Sequence, residues 1–354
     1  MKIGLVRRGY SATGGAEKYL LRFAAALEET GHEAVLFTDR KWPEDVWGNR
    51  ETVLLKEAGK SPRQFADALE KAGPKDRCDI LFSLERVWDC DVYRAGDGVH
   101  AAWLERRARF EPGYKSAFRQ IQKKHRELLE IERSLFSPEG GVRVIANSEM
   151  VKREIESHFG LKGDRVSVIP NGFDAPERTD LERQSMRDSK RKELGLVAEE
   201  RTVLFVGSGW ERKGLRFAIE AVEEIGSGIR LVIAGTDRRS PKLSRPELVK
   251  PLGPVSDLEP LYEAADLFVL PTIYDPFSNA SLEAAAFGLP VITSDANGLA
   301  DHIPPLHGAV VPVGETLVGA FQQTESRADE NREIVREQFS TALNRERTLD
   351  FLTN

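Results

Sequence analysis

The chain has 354 residues, too many for one hydrophobic core of ordinary size, which predicts two domains of roughly 150 to 180 residues each. With 40% hydrophobic and 31% charged residues, its composition is typical of a globular protein and excludes a disordered chain. The net charge of -6 argues against nucleic acid as a partner, because nucleic acid is bound through a positive surface.

Cysteine content and the first residues bear on the compartment. The two cysteines, Cys78 and Cys90, predict no disulfide framework and fit a reducing environment. The chain starts with an apolar segment that no charged leader precedes, so we predict no signal peptide. No window approaches the ~18 consecutive apolar residues that indicate a membrane-spanning helix. We therefore expect a cytoplasmic protein.

In the first half of the chain, short apolar runs alternate with longer amphipathic ones. This alternation predicts a parallel sheet with helices on both faces, in a first domain over residues 1–174. The predicted elements are strands at Ile3–Val6, Ala34–Thr38, Asp79–Leu84, Gly141–Ala146 and from Val166, with a helix over Glu17–Glu29.

A polar, charge-rich stretch over 175–192 is interpreted as the connection between the domains. The same rhythm then restarts and predicts a second α/β domain over 175–335, followed by a helix in 336–354 that packs back on the first domain. The predicted strands are Thr202–Gly207, Arg230–Gly235, Asp266–Pro271, Pro290–Ser294 and Ala309–Val313, with helices at Gly214–Ile225, Asp257–Ala265 and Asn279–Phe287.

Two glycine-containing loops follow predicted strands, at the edge where doubly wound sheets bind ligands. The first loop contains Gly14 and Gly15, which let the backbone approach a ligand without an intervening Cβ. A plain strand-to-helix turn explains the same glycines. This loop alone therefore leaves both interpretations open.

The second loop runs from Gly207 to Gly214 and contains two adjacent cations, Arg212 and Lys213. Its glycine spacing fits neither the dinucleotide fingerprint G-x-G-x-x-G nor the P-loop G-x-x-x-x-G-K-[ST]. Backbone N–H groups at a helix start attract anions, so two cations beside such a start suit a diphosphate. A solvent-exposed basic pair is the alternative interpretation.

Two carboxylates, Asp275 and Glu283, lie eight residues apart around a predicted helix start that Ser278 or Asn279 would cap. Small and apolar residues surround Glu283, where a carboxylate is costly to bury unless it accepts hydrogen bonds. The vicinal hydroxyls of a ribose would supply two such bonds. The alternative is a glutamate on the exposed side of an ordinary helix.

Together these residues resemble the retaining GT-B glycosyltransferases of family four. The family signature E-x7-E, followed by A-x-x-x-G-x-P-V-I, is present as Asp275-x7-Glu283 and then residues 284–292. Residues 206–214 match the family's phosphate loop, 168–174 match the end of its N-terminal domain, and 14–17 match its first glycine loop. The resemblance implies two Rossmann-like, doubly wound domains that face each other across a deep cleft.

A closer likeness is to the transferases that add glucose to the lipopolysaccharide core. It is carried by the segment Asp91-Val92-Tyr93-Arg94-Ala95-Gly96-Asp97, which Gly98-Val99-His100 continues, and by the long basic segment just afterwards. One departure from the family pattern concerns the first acid of the signature, which is aspartate here and one methylene shorter. It puts the reach of this residue and the sugar preference in question.

The resemblance implies metal-independent transfer of a hexose, with retention, to a hydroxyl of a glycan or glycolipid acceptor. The expected sugar donor is UDP-glucose, and no cofactor is expected. Arg212 and Lys213 are implied to bind the diphosphate, Glu283 the ribose and Asp275 the sugar. Asp97 and His100 are implied at the acceptor side, near the reacting carbon. The remaining implied residues of the sugar-donor site are Gly14, Gly15, Gly207, Phe277, Ser278 and Asn279.

Other activities are disfavoured by particular features. The chain lacks the G-x-G-x-x-G fingerprint of an NAD-linked oxidoreductase, which disfavours that activity. The basic pair and both acids disfavour a sugar-nucleotide-binding protein without activity. Asp89-Cys90-Asp91 forms the D-x-D motif of metal-dependent transferases of another fold, which GT-B enzymes generally do not use. His125 and His158 fall on predicted helices and are interpreted as surface or packing residues.

Residues 106–126 contain eight Lys or Arg and a single acid, Glu111. A helix over this segment would place Tyr114, Phe118, Ile121, His125 and Leu128 on one face, with cations such as Lys115 on the others. Such a basic amphipathic helix can lie on an anionic membrane, which would suit a lipid-linked acceptor. The alternative is a solvated helix whose apolar face packs on its own domain.

Overall fold

The computed structural model describes residues 1–11, 15–114, 119 and 122–353. It divides the chain into two compact units, Met1–Pro170 with Asn344–Asn354, and Asn171–Leu343. The division comes four residues before the predicted boundary at residue 174. Residues 171–174 belong to the second unit because Phe173 donates its N–H to the Phe339 carbonyl (2.8 Å) and Asp174 accepts from the N–H of Thr341 (3.0 Å).

The first unit is built on seven parallel strands in the order β3-β2-β1-β4-β5-β6-β7. The strands are β1 Lys2–Val6, β2 Glu33–Thr38, β3 Thr52–Leu54, β4 Ile80–Ser83, β5 Val92–Ala95, β6 Arg143–Ala146 and β7 Val166–Val168. The helices are α1 Gly15–Glu29, α2 Glu44–Trp47, α3 Pro62–Lys71, α4 His100–Ala108, α5 Lys123–Leu135 and α6 Glu149–Phe159.

The inner strands of this sheet are buried because both of their faces are covered. Leu5, Leu36, Phe82 and Val92 all lie in one core cluster of this unit. Leu352, near the carboxyl end of the chain, belongs to the same cluster. The segment from Asn344 onward is therefore part of the first unit.

The second unit has six parallel strands in the order β10-β9-β8-β11-β12-β13. They are β8 Arg201–Val206, β9 Ile229–Ala234, β10 Val249–Gly253, β11 Leu267–Leu270, β12 Val291–Ser294 and β13 Ala309–Val311. The remaining helices are α7 Asp180–Leu194, α8 Trp210–Lys213, α9 Leu215–Ile225, α10 Glu259–Ala264, α11 Asn279–Ala286, α12 Val318–Gln323, α13 Ala328–Gln338 and α14 Thr341–Thr353. The prediction of two Rossmann-like α/β units is confirmed.

The stretch 175–192, interpreted from the sequence as a connection, contains most of helix α7. Thr179 and Glu182 form a capping box at its start. The helix has few apolar residues, and it is held instead by arginines: Arg191 donates to the Ala264 carbonyl (3.1 Å) and to the hydroxyl of Thr202 (3.0 Å). Because hydrogen bonds of polar side chains hold this helix in place, it needs no apolar face, and its sequence shows no apolar periodicity.

Strand order determines which loops are neighbours. In the second unit β8, β11 and β12 are adjacent and parallel, so the loops after them leave the same edge of the sheet. In the first unit the same holds for β1, β4 and β5. These carboxyl edges are where ligands bind in open α/β sheets.

Candidate active site

The loop after β8 is a tight turn that leads into the short helix α8. Gly207 and Gly209 both have positive φ angles, 155° and 74°, which residues with a Cβ rarely adopt. The turn is held by Trp210, whose N–H donates to Asp237 Oδ2 (2.6 Å) and whose indole donates to the Gly207 carbonyl (3.1 Å). These contacts fix the backbone that precedes Arg212 and Lys213.

Gly214 brings this loop against the loop after β11. Its φ is +73°, and a Cβ at this position would lie 1.8 Å from the carbonyl oxygen of Pro271. Nearby, the Arg212 carbonyl accepts hydrogen bonds from the Thr272 hydroxyl (2.8 Å) and the Ile273 N–H (2.8 Å). We call the loop after β8 the cation loop, because it bears Arg212 and Lys213, and the loop after β11 the acid loop, because it bears Asp275. Contacts of their backbones join these two loops.

Lys213 and Asp275 form an ion pair between these two loops. Their side chains are only 14% and 8% exposed, so the pair is largely shielded from water. Arg212 lies beside it and donates from Nη1 to the Tyr274 carbonyl (3.0 Å). The structure therefore brings together three of the residues that the sequence suggested. It also shows a direct ion pair between Lys213, which the resemblance implies at the diphosphate, and Asp275, which it implies at the sugar.

The acid loop is anchored on its other side by the loop after β12. Asp275 donates its N–H to the Ala296 carbonyl (2.9 Å) and accepts at its own carbonyl from Gly298 (2.8 Å). Asn297 Oδ1 accepts from the N–H of Ser278 (3.3 Å). Backbone bonds on both flanks therefore set the position of the Asp275 carboxylate.

The start of α11 follows directly. Ser278 caps this helix, since its hydroxyl accepts from the N–H of Ser281 (3.2 Å). Asn279 is exposed and accepts from the amide of Asn171 (2.6 Å). Phe277 is buried in the core of the second unit with its ring 6.3 Å from that of Phe339, so its side chain serves packing.

Glu283 lies half-buried on α11, where its Oε2 accepts from the hydroxyl of Tyr262 (2.9 Å). Burial, together with the charge of Glu283, raises the pKa of Tyr262 well above its usual value, so the phenol stays protonated and donates. This bond holds the carboxylate of Glu283 in one orientation. Sequence reasoning missed Tyr262, because the contact joins two helices that are distant in the sequence.

In the first unit, Asp97 and His100 follow β5. The Asp97 side chain is 78% exposed and lies 3.9 Å from Nη1 of Arg86. His100, the first residue of α4, is buried. Burial, reinforced by the nearby charge of Arg86, lowers the pKa of His100 to about 3, so its ring is neutral at pH 7.

The first glycine loop is only partly described: Gly14 lies outside the described residues, and Gly15 begins α1. The buried carboxylate of Glu17 accepts from Nη2 of Arg7 (3.0 Å), which also donates from Nη1 to Glu85 (2.6 Å). Burial raises the pKa of Glu85. Arg7 and Glu85 follow β1 and β4, so charged groups line this edge as well.

The D-x-D motif has other partners in the structure. Asp89 forms an ion pair with Lys75, and Asp91 accepts from the N–H of Leu81 (2.7 Å). Within the described ranges, no group of three or more His, Cys, Asp or Glu side chains has an arrangement that could hold a metal ion.

The basic segment 106–126 is partly neutralised within the protein. Arg106 pairs with Glu154 (3.2 Å), and the largely buried Glu111 pairs with both Arg107 (3.4 Å) and Arg119 (2.9 Å). The exposed cations of the described part are Arg109, Lys123, Lys124 and Arg126. Lys115, Phe118 and Ile121 lie outside the described residues. Across the part of the chain that the structure describes, no helix has the length and apolar character needed to cross a membrane.

Two Rossmann-like units, one of which joins the cation loop to the acid loop at its carboxyl edge, are the arrangement expected of a glycosyltransferase with the GT-B fold. The family model for glycosyltransferase family 4 matches residues 13–176, and that for glycosyl transferases group 1 matches residues 200–324. Together these matches cover most of the chain, which belongs to this family of glycosyltransferases.

Several relatives are similar over much of the chain. The lipopolysaccharide glucosyltransferase WaaG of Escherichia coli is 24% identical over 311 residues, 83% of this chain and 80% of that protein. A crystal structure of WaaG superposes with a TM-score of 0.78 at 21% identity, covering 99% of this chain and all of that one. At this identity, the similarity of the two structures supports the assignment of the fold.

Two further similarities are narrower or more distant. An uncharacterized glycosyltransferase of Methanocaldococcus jannaschii is 35% identical over 173 residues, which is 46% of this chain and 44% of that protein. A structure of Anabaena HepE in complex with UDP-glucose has a TM-score of 0.70 at 18% identity, covering all of this chain and 99% of that one. At this identity the likeness concerns the fold.

Proposed function

We propose that the protein is a retaining hexosyltransferase that moves glucose from UDP-glucose to a hydroxyl of a glycan or glycolipid acceptor, such as a lipopolysaccharide core. The observation that carries this proposal is the junction of Arg212, Lys213 and Asp275 at one strand edge. The names of two relatives point the same way, since WaaG is a lipopolysaccharide glucosyltransferase and HepE was solved with UDP-glucose.

In the proposed reaction the bond between the sugar's anomeric carbon and the diphosphate oxygen breaks. The acceptor oxygen forms a new bond to that carbon on the same face, and its proton passes to the departing diphosphate. Charge therefore develops on the diphosphate, where Arg212 and Lys213 would stabilise it. No carboxylate nucleophile is needed, and Asp275 would bind sugar hydroxyls instead.

Glu283 would bind the ribose, because Tyr262 already orients its carboxylate. Asp97 and His100 would contact the acceptor side of the reaction. With its ring neutral at pH 7, His100 would act as a hydrogen-bonding group rather than as a cation. No cofactor takes part in this scheme.

Replacing Glu283 by glutamine should weaken UDP binding by about tenfold to a hundredfold, because two charge-assisted bonds to the ribose would be weakened. Isothermal calorimetry with UDP measures the effect. The wild type should lose a similar factor with 2′-deoxy-UDP, whereas the variant should barely distinguish the two ligands. Equal discrimination by both proteins would remove Glu283 from the ribose site.

Thermal unfolding with a panel of nucleotides tests the sugar donor itself. UDP and UDP-glucose should raise the Tm, since a ligand that binds only the folded state stabilises it, and ADP and GDP serve as controls. A shift with NAD and none with any uridine nucleotide would contradict the proposal.

We also propose that the exposed cations of the basic segment bind the anionic inner face of the cytoplasmic membrane. Changing Arg109, Lys123 and Arg126 to glutamate should abolish sedimentation with phosphatidylglycerol vesicles, because each cation contributes about 1 kcal/mol near such a surface. A matched triple variant at the exposed residues Lys18, Lys56 and Lys60 should sediment like the wild type. Unchanged binding by the first variant would exclude this surface.

A further inference from the structure

Helix α5 (Lys123–Leu135) contacts the start of α4, where His100 lies, at two positions seven residues apart. Those positions are His125 and Glu132, which two turns of helix place on the same face. Neither residue is assigned a role in the scheme above. Both contact His100, which that scheme places at the acceptor side.

Glu132 supplies the cap that α4 lacks in its own sequence. The residue before the helix is Val99, whose side chain cannot accept a hydrogen bond. The carboxylate of Glu132, which is 0% exposed, accepts instead from the N–H groups of His100 (2.6 Å, Oε1) and Ala101 (3.3 Å, Oε2). A carboxylate at this helix end satisfies N–H groups that have no partner within the helix.

Arg86 connects this cap to the loop before α4. Its Nε donates to Glu132 Oε1 (2.8 Å), and its Nη2 donates to the carbonyl of Gly98 (2.8 Å). Because a buried carboxylate without a partner is costly, this contact with the arginine offsets the burial of Glu132. The backbone from Gly98 to Ala101 is thereby held on both sides of His100.

His125 acts on the ring of His100 rather than on its backbone. Nδ1 of His125 lies 2.9 Å from Nε2 of His100, and the rings stack with centroids 5.1 Å apart. Burial lowers the pKa of both rings, so at pH 7 each carries one N–H. Their hydrogen bond contains one proton, and the tautomer of His125 therefore determines whether Nδ1 of His100 is a donor or an acceptor.

We propose that Glu132 and His125 are positioning residues for sugar transfer: Glu132 fixes the backbone that bears His100, and His125 fixes the orientation and tautomer of its ring. The proposal rests on the function proposed above, which places His100 at the acceptor side. Helix α5 is then the element that aligns the acceptor-side histidine.

The test replaces His125 by phenylalanine, which keeps the stacked ring and removes the hydrogen bond. We expect kcat for transfer to fall about tenfold to a hundredfold, with the Kd of UDP unchanged. His125→Asn restores a polar atom near the position of Nδ1 and should recover most of the rate. Glu132→Gln keeps the shape of the cap and should also lower kcat. The control is His158→Phe, because His158 lies on α6 beside Glu105 (3.7 Å).

A spectroscopic measurement on the protein without substrate separates this proposal from the proposed function. The imidazole ¹⁵N shifts of His100 should report one neutral tautomer in the wild type and a mixture in His125→Phe. If the wild type transfers no sugar, the proposed function fails and the shifts still decide whether His125 fixes the ring. Unchanged kcat and unchanged His100 shifts in a folded His125→Phe variant would overturn the positioning role.

Discussion

Replacing Lys213 by alanine should lower kcat/KM for sugar transfer by about a hundredfold to a thousandfold, the usual effect of removing one group that stabilises developing charge. Lys213 is the largely buried cation of the loop after β8, so water screens its charge less than that of a surface lysine. Initial rates of UDP release at several UDP-glucose concentrations measure the loss. Arg212→Ala should act in the same direction.

The variant also leaves Asp275 without its ion-pair partner, which by itself can destabilise the loop. The double variant Lys213→Ala, Asp275→Asn removes the unpaired charge and should unfold at nearly the wild-type temperature while remaining inactive. Lys190→Ala is the matched control, since this partly exposed lysine of the same unit pairs with Glu193 on the surface of α7. Wild-type rates in Lys213→Ala would remove the diphosphate role.

Changing Gly214 to alanine should lower the free energy of unfolding by about 3 kcal/mol or more, because it combines a left-handed backbone with a clash. The added Cβ would lie 1.8 Å from the Pro271 carbonyl oxygen, and a backbone atom cannot move aside as a flexible side chain can. Urea unfolding followed by fluorescence measures the change. Activity should fall as well, since the same contact sets the spacing of the cation and acid loops.

Gly209 provides the control for this effect. Its φ of +74° equals that of Gly214 within a degree, but a Cβ there would meet nothing within 4 Å. Gly209→Ala should therefore cost only the backbone strain, about 1 kcal/mol. The difference between the two variants isolates the contact with Pro271. Equal losses would mean that backbone conformation alone explains both.

Much of the fold could be predicted from the sequence because its buried strands are short, apolar and separated by turn signals. Strands such as Ile3–Val6 and Ala309–Val313 were expected to within two residues of their observed ends. Strand β5, just before Asp97, was not expected as a strand, since Arg94 interrupts its apolar run. Helix α7 was missed because arginine hydrogen bonds attach it.

The candidate site was predictable where its residues are neighbours along the chain, as in the loop that bears Arg212 and Lys213. Contacts between distant segments were not predictable. His125 was interpreted as a surface or packing residue, and its ring does pack on that of His100, but the hydrogen bond between the two rings was not expected. Tyr262 and Glu132 carry no local pattern, because their partners lie 21 and 32 residues away in the sequence.

The bond between Lys213 and Asp275 means that the proposed phosphate lysine already has a counter-ion. A diphosphate that binds this lysine would compete with the carboxylate for the same ammonium group, so binding of the proposed sugar donor would weaken the ion pair. Asp275 would then need new hydrogen-bond donors, which the hexose hydroxyls of UDP-glucose would supply, whereas the ribose hydroxyls of UDP are assigned to Glu283 in the proposed site. We therefore expect UDP-glucose to bind more tightly than UDP, with the sugar compensating the carboxylate that the phosphate releases.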